Sequence, residues 1–429
     1  MKEIKIGLIG WGTVGAGVTR ILQKNSALIS RRLGARLRLV RVADLNLKRD
    51  RGMKLAPGIL TRDAARIIED PEIDIVVELI GGLDPAEGMV ISSLRGGKRV
   101  VTANKALLAE RGKTLFREAG QVRRRIFFEA SVGGGIPIIK IIREGLSANR
   151  ISSILGIING TTNYILTRMS EEGITLAAAV RGAKKAGYAE KNPALDLEGI
   201  DSAHKLALLS SLAFGGWADF SRIYREGINE ITDEDIAYTA GLGYTIKLLA
   251  VAKQSPSGAD LRVHPTLVPR RHLLSAVNGI FNAVYLEGDF SKSQIFQGEG
   301  AGQGPTASAV VADLMEAGRE ILSGNDSTPP FIATDRDLKL APIGEVVCRH
   351  YLRIPVIDRP GVLARIASIL GAGGISIDSV IQRQRYKRGL VPVILMTNQA
   401  REKALQTALD KISHLEVVRG TPVRIRVED

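Results

Sequence analysis

Cysteine is all but missing: the chain of 429 residues carries only Cys348. That excludes an intramolecular disulfide and a cysteine-rich metal site. Aromatic residues make up 4%, little material for a surface on which nucleic-acid bases would stack. No apolar run reaches the length that spans a bilayer. The N-terminus enters a strand pattern directly, without the layout of a signal peptide. A cytoplasmic protein with no membrane partner is expected.

Hydrophobic residues make up 45% and charged residues 24%, an ordinary balance for packed globular domains. The length suggests two or three of them. The net charge is +14, but the lysines and arginines are scattered, with neither zinc-finger spacing nor a basic heptad region. Nucleic acid is therefore not the expected partner. A basic surface equally attracts an anionic dinucleotide or an acidic metabolite.

The strand pattern Ile4–Ile9 leads into Gly10-Trp11-Gly12-Thr13-Val14-Gly15 and a helix through Leu22. Between a strand and a helix this is a dinucleotide fingerprint. Gly10 permits the tight turn, Gly12 lets the pyrophosphate approach the backbone, and Gly15 packs helix on strand. Thr13 and Val14 open the helix whose free N–H groups face the phosphates. A second strand, Leu37–Ala43, ends at Asp44, where a carboxylate suits the ribose hydroxyls of NAD. Just beyond stand Lys48, Arg49 and Arg51, which suit the 2′-phosphate of NADP. The two signals conflict; NADP or NAD is expected, with NADP preferred.

Further strands at Ile73–Leu79, Arg99–Thr102 and Ile126–Glu129 alternate with helical patterns. This reads as α/β, a parallel sheet covered on both faces. Lys105 follows a strand's carboxyl end, where ligands bind in open sheets. Gly133-Gly134-Gly135 before Pro137 leaves carbonyls available, or is a plain hinge. Next comes Asn159-Gly160-Thr161-Thr162-Asn163-Tyr164-Ile165-Leu166, a strand end and a capped helix start, whose cluster of small polar groups is expected to line the floor of the active site or else only to cap the helix.

Gly187-Tyr188-Ala189-Glu190 opens a loop that runs past Pro193 and Asp196 into a helix over 200–214. Asp201 and Lys205 are four apart and share a helix face. Glu190, Asp196, Asp201 and Lys205 gather carboxylates around one amine, which suits a substrate with a cationic amino group. Spacing alone equally allows a solvated ion pair. Amphipathic segments around 234–253 and strand-like stretches around 261–268 and 280–290 imply a mixed sheet, of the kind that pairs with its own copy. Gly298–Gly304 is a second glycine-rich loop, before a helix over 306–322. Residues 323–347 read as a linker. Beyond it the pattern is βαββαβ, the ferredoxin-like order, with an Asp358-Arg359-Pro360-Gly361-Val362-Leu363 turn.

These motifs, spread over essentially the whole chain, resemble homoserine dehydrogenases, and the Asp-x-Pro-Gly-Val-Leu turn resembles the ACT domain that many of them carry. The resemblance implies a Rossmann-type domain over 1–138, completed by a return helix over 301–322. It implies an α+β substrate and dimerisation domain over 139–300 and an ACT domain over 348–429. It implies that Lys205 is catalytic, with Lys105 a second functional lysine near nicotinamide and substrate. Glu190, Asp196 and Asp201 become substrate contacts, and Gly187 and Gly302 join the cofactor contacts. The Glu129 carboxylate and the carbonyls of Val132, Gly134 and Ile136 would hold a monovalent cation, usually sodium. Asp358, Gly361, Leu363, Ser376 and Asp378 are candidates for an amino-acid effector site, with threonine the expected effector. A homodimer or homotetramer is expected. The competing readings are a related amino-acid dehydrogenase, or a non-catalytic sensor of a nucleotide and an amino acid. Against the sensor stand Lys105, Glu190 and Lys205, which sensing does not require.

Overall fold

The computed structural model describes residues 1–324, 331–382 and 390–428. They divide into two compact units. One comprises Met1–Gly160, Asp201–Ile223 and the described part of Ile280–Leu338; the other comprises Thr161–Ile200, Tyr224–Gly279 and the chain from Lys339 on. Among the described residues, no helix is long and apolar enough to cross a membrane.

The first unit is built on six parallel strands: β1 (Lys2–Ile9), β2 (Ala35–Ala43), β3 (Leu60–Thr61), β4 (Ile75–Glu78), β5 (Arg99–Thr102) and β6 (Ile126–Phe127). Their order in space is 3-2-1-4-5-6. The order reverses between β1 and β4, which opens a crevice at the strands' carboxyl ends. The core joins Ile4, Ile6 and Leu8 of β1 to Val310, Leu314 and Ala317 of the helix Gln303–Ser323. That helix returns to pack on the fingerprint helix Thr13–Lys24. A side chain at Gly17 would come within 2.8 Å of Ala307 and of the Gln303 carbonyl, so the two backbones touch. The expected strand to Glu129 stops at Phe127 and gives way to a 3-10 turn over Glu129–Ser131. Three antiparallel strands, Ile151–Ile157, Phe281–Gly288 and Lys292–Glu299, complete this unit's sheet structure.

In the second unit the strand Tyr244–Ser255 pairs along its whole length with Gly258–Pro269. The first of these lies where the sequence suggested only amphipathic segments. Seven successive residues, Ile246–Ala252, are buried, so the strand lacks the alternation that marks a half-exposed one. The βαββαβ portion follows, with its strands Val423–Val427, Val347–Ile357, Leu390–Thr397 and Ile377–Ile381 adjacent in that order.

This portion is not a detached module. Thr266 and Leu267 pair in parallel with Arg426 and Val427, so one mixed sheet runs through the unit. Buried ion pairs reinforce the junction. Arg426 reaches Glu402 at 2.7 Å and Glu226 at 2.8 Å. Arg353 grips Asp235 at 2.7 Å, and Tyr351 donates to the same carboxylate at 3.0 Å. Burial opposes the Glu226 carboxylate, but Arg426 and Arg424 hold its pKa down at about 2. The described part of the expected linker is hydrogen-bonded too: Ala259 donates to Lys339 at 2.8 Å, and Ala341 donates back to Ala259 at 2.9 Å.

Candidate active site

The helix Ile200–Phe214 is buried almost all round, so its few charged groups must find partners within the protein. Asp201 is where they meet. Lys205 Nζ donates to Asp201 Oδ2 at 2.7 Å and to the Ile158 carbonyl at 2.6 Å. Lys105 Nζ lies 3.1 Å from the other oxygen, Oδ1. Asn159 Nδ2 adds a bond to Oδ2 at 2.8 Å. Burial works against the Asp201 carboxylate, yet Lys205, Lys105 and these hydrogen bonds hold its pKa well below the usual range. One buried anion thus organises two ammonium groups, Lys205 buried beside it and Lys105 reaching it from a side chain that is 41% exposed.

Lys105 is set by what precedes it. It is the first residue of the helix Lys105–Gln121, and the Asn104 side chain caps that helix by accepting from Leu107 N at 3.1 Å. Asn104 Nδ2 also donates to the Gly82 carbonyl at 2.7 Å. Beneath it, the buried Glu78 at the end of β4 accepts from Thr102 Oγ1 at 2.6 Å and from Ile80 N at 2.9 Å. Thr102 Oγ1 in turn accepts from Asn104 N at 3.0 Å. The ends of two strands and the start of a helix are locked together, and Lys105 projects from the lock.

The fingerprint loop fits a dinucleotide. Gly10 has φ +97°, and an added side chain there would strike the Leu79 carbonyl group at 2.6 Å. At Gly15 it would strike the Gly10 carbonyl at 2.3 Å, whereas at Gly12 it would meet nothing within 4 Å. Gly12 therefore borders open space at the start of a helix whose first turn carries no acidic residue, a cradle for phosphate. Gly302, with φ +118°, precedes the return helix, and Gln303 Nε2 donates to the Thr13 carbonyl at 3.0 Å. Val14 packs on the unit's core. Asp44 accepts from Trp11 N at 2.8 Å and pairs with Arg51 at 3.0 Å. The Arg51 guanidinium stacks 4.5 Å from the Trp11 ring centre and donates to the Trp11 carbonyl. Its side chain is only 3% exposed, while Lys48 and Arg49 stand in solvent.

Glu129 lies in the 3-10 turn after β6. Its two carboxylate oxygens accept from Ile139 N at 2.8 Å and Lys140 N at 2.9 Å. Its own N–H donates to Asp313 on the return helix at 2.9 Å. The segment carrying Val132, Gly134 and Ile136 folds beside it, with Gly134 (φ +54°) seated against Gly300. The Ile136 carbonyl accepts from Ile138 N at 2.8 Å.

Glu190 and Asp196 belong to the second unit. Glu190 is exposed in the loop after the helix Leu176–Lys185, and Asp196 sits in the short helix Ala194–Leu197. Gly187, with φ +78°, turns the chain into that loop. At the 358–363 turn a cleft of about 390 Å³ is lined by Asp358, Gly361 and Leu363. Ser376 accepts from Asn398 at 3.1 Å, and Asp378 pairs with Arg349 at 3.1 Å. Sequence reasoning did not assign the Ile158 carbonyl, Glu78, Thr102 or the Asn104 cap. A carbonyl carries no residue-type signal, and the other three become significant only when strand ends meet. Asn159, which opens the polar string expected at the floor of the site, does reach Asp201.

Comparison with known proteins agrees with this geometry. The family profile described as "Homoserine dehydrogenase, NAD binding domain" matches residues 10–129, "Homoserine dehydrogenase" matches 137–315, and "ACT domain" matches 350–414. A homoserine dehydrogenase of Pseudomonas aeruginosa is 45% identical, with 100% of this chain and 99% of that protein covered. The crystal structure of a homoserine dehydrogenase from Thiobacillus denitrificans superposes with a TM-score of 0.95 at 45% identity, covering 100% of this chain and 99% of that one. A hyperthermophilic archaeal homoserine dehydrogenase mutant, solved in complex with NADPH, gives a TM-score of 0.63 at 27% identity over 73% of this chain and 97% of its own. A parallel sheet with a dinucleotide cradle, a lysine pair on one carboxylate and a C-terminal ACT domain place this chain in the homoserine dehydrogenase family, whose oxidoreductases work with a nicotinamide cofactor.

Proposed function

We propose that the chain interconverts L-aspartate 4-semialdehyde and L-homoserine, on the way to threonine, methionine and isoleucine. The observation that supports this most is Asp201 between Lys105 and Lys205. The nicotinamide cofactor supplies or accepts the hydride; the proton and the substrate's position fall to the protein. In the direction of reduction, charge gathers on the carbonyl oxygen as its carbon gains hydride. The Lys205 ammonium then gives that oxygen a proton, and the product is an alcohol. Lys105 offsets the same charge. Glu190, Asp196 and Asp201 are the carboxylates proposed to contact the substrate. Glu190 takes the α-ammonium, which fixes the distance of the reacting carbon. The direct test is the absorbance of the reduced cofactor, followed with aspartate semialdehyde and either NADPH or NADH. Absence of turnover with both would reject the reading. Threonine added to the same assay tests it as the effector of the ACT domain. A homodimer or homotetramer fits the strand Lys292–Glu299, preceded by Phe290, which is 83% exposed.

NADP is the proposed cofactor. Arg51 neutralises Asp44 and leaves Lys48 and Arg49 free of that task, and the archaeal relative binds NADPH. Arg49→Ala is expected to raise KM for NADP about tenfold, the loss of one charge-assisted hydrogen bond, with NAD changed less than about twofold. Arg51→Ala should weaken both cofactors, because it releases the Trp11 loop. An equal effect of Arg49→Ala on the two would place Arg49 away from the 2′-phosphate.

A monovalent cation, sodium, is proposed at Glu129 with the carbonyls of Val132, Gly134 and Ile136. These are all oxygens, as a hard cation prefers. The residues fit the ion: burial raises the Glu129 pKa to about 7, although two N–H bonds and Arg143 pull it down, so positive charge is wanting there. At a fixed, mildly alkaline pH, sodium chloride should raise Tm by about 2–4 °C over tetramethylammonium chloride. Glu129→Gln should abolish the difference; its persistence would locate the ion elsewhere.

A further inference from the structure

The two lysines ride on different helices. Lys105 starts the helix Lys105–Gln121, and Lys205 sits within Ile200–Phe214. One contact, Lys105 to Asp201 at 3.1 Å, joins the helices at the site itself. A single ion pair fixes a distance and by itself sets neither the tilt nor the rotation of one helix against the other. Packing restricts both, with Gly112 close against the Trp217 ring, and a second polar contact near the site pins them further. Glu110 stands five residues beyond Lys105, about 7.5 Å along the helix axis. His204 precedes Lys205 and lies three residues after Asp201, on a neighbouring helix face. His204 Nε2 meets Glu110 Oε1 at 3.1 Å. The imidazole is buried and cannot swing away, because the Phe220 ring lies against it with centroids 4.2 Å apart. The chemistry proposed above uses neither Glu110 nor His204.

We infer that Glu110 and His204 form a positioning pair that sets the angle between the two lysine-bearing helices. It thereby sets where both ammonium groups stand around Asp201. The inference rests on the reading that Lys105 and Lys205 carry the proton and charge work. The pair touches no reacting atom. It acts by holding Lys105 and Lys205 in register, and a loss of register of about an ångström costs about a hundredfold in rate.

The test is steady-state kinetics of His204→Ala, His204→Gln and Glu110→Ala, with melting curves for each. His204→Ala and Glu110→Ala should each lower kcat by about tenfold to a hundredfold, with KM within about threefold. His204→Gln places an amide N–H where Nε2 stood and should restore kcat to within about threefold of the parent. The double alanine variant should be no worse than either single one, as for two groups that act as a unit. Glu110 is partly exposed, so Glu110→Ala keeps the test open if His204→Ala fails to fold. Unchanged kcat in a folded alanine variant, or a loss that glutamine leaves unrepaired, overturns the inference. Lys205→Ala run beside them separates the two failures. Normal turnover there removes the lysine reading and the inference with it. A dead Lys205→Ala beside a fully active His204→Ala removes the inference alone.

Discussion

Lys205→Ala is expected to lower kcat by roughly two to four orders of magnitude, the range for loss of a general acid. KM for substrate should change less than about fivefold, since the proton is needed only as charge develops in the transition state. The fold should survive. Asp201 keeps Lys105 at 3.1 Å and the Asn159 amide at 2.8 Å, so its buried carboxylate is not left alone. Folding is checked by the melting curve, and chemistry by the isotope effect with deuterated reduced cofactor, which should grow as proton transfer slows the chemical step. A folded variant with near-normal kcat would remove Lys205 from the mechanism.

The second large effect concerns the ACT portion. The sequence reads as though residues 348–429 could be cut away after a linker, leaving an active and effector-insensitive enzyme. The structure argues for the opposite outcome. Removing them strips Thr266 and Leu267 of their parallel partner strand and leaves Glu226 and Asp235 without the arginines that neutralise them, while Arg262 loses Glu428 and keeps Asp260. Losing one partner of a buried pair costs about 3–5 kcal/mol, against about 5–15 kcal/mol for the stability of a whole domain. A chain ending at residue 347 should therefore be found largely as aggregate, or melt without cooperativity. Size-exclusion chromatography and circular dichroism decide it. A monodisperse, cooperatively melting and fully active truncation would show that the shared sheet contributes little.

Much of this was legible beforehand because several motifs combine a local rule with a fixed place in the fold. The fingerprint needs only its own strand, turn and helix, and Gly10, Gly12 and Gly15 behave as their spacing requires. Asp201 and Lys205 are brought together by helix geometry alone. Lys105 is different: its place past a strand's carboxyl end marks it as a ligand-side residue, but its meeting with Asp201 depends on two helices far apart in sequence, which no spacing shows. The Asp44–Arg51 pair was foreshadowed only as two opposed cofactor signals. In the structure they neutralise one another. The strand Tyr244–Ser255 escaped notice because burial on both faces erases the period-two pattern. The union of the ACT portion with the rest of its unit escaped too. Arg426 reads as one more exposed cation near a chain end, and only the fold reveals it as a fully buried one.

The parallel pairing of Gly258–Pro269 with Val423–Val427 also bears on how the chain is made. The ribosome delivers the first of these strands long before the second. Through that interval the edge of the earlier strand at Thr266 and Leu267 stays unmatched, a template for wrong pairings between nascent chains. The first unit's parallel sheet draws β1–β6 from the opening third of the chain and can assemble early, as domains do during synthesis. The second unit has to wait for nearly the last residues translated. Its completion is a late, long-range event, of the slow kind that non-local strand pairing imposes. Translation speed over the final stretch, and holdase chaperones during it, should govern yield more than any property of the catalytic residues.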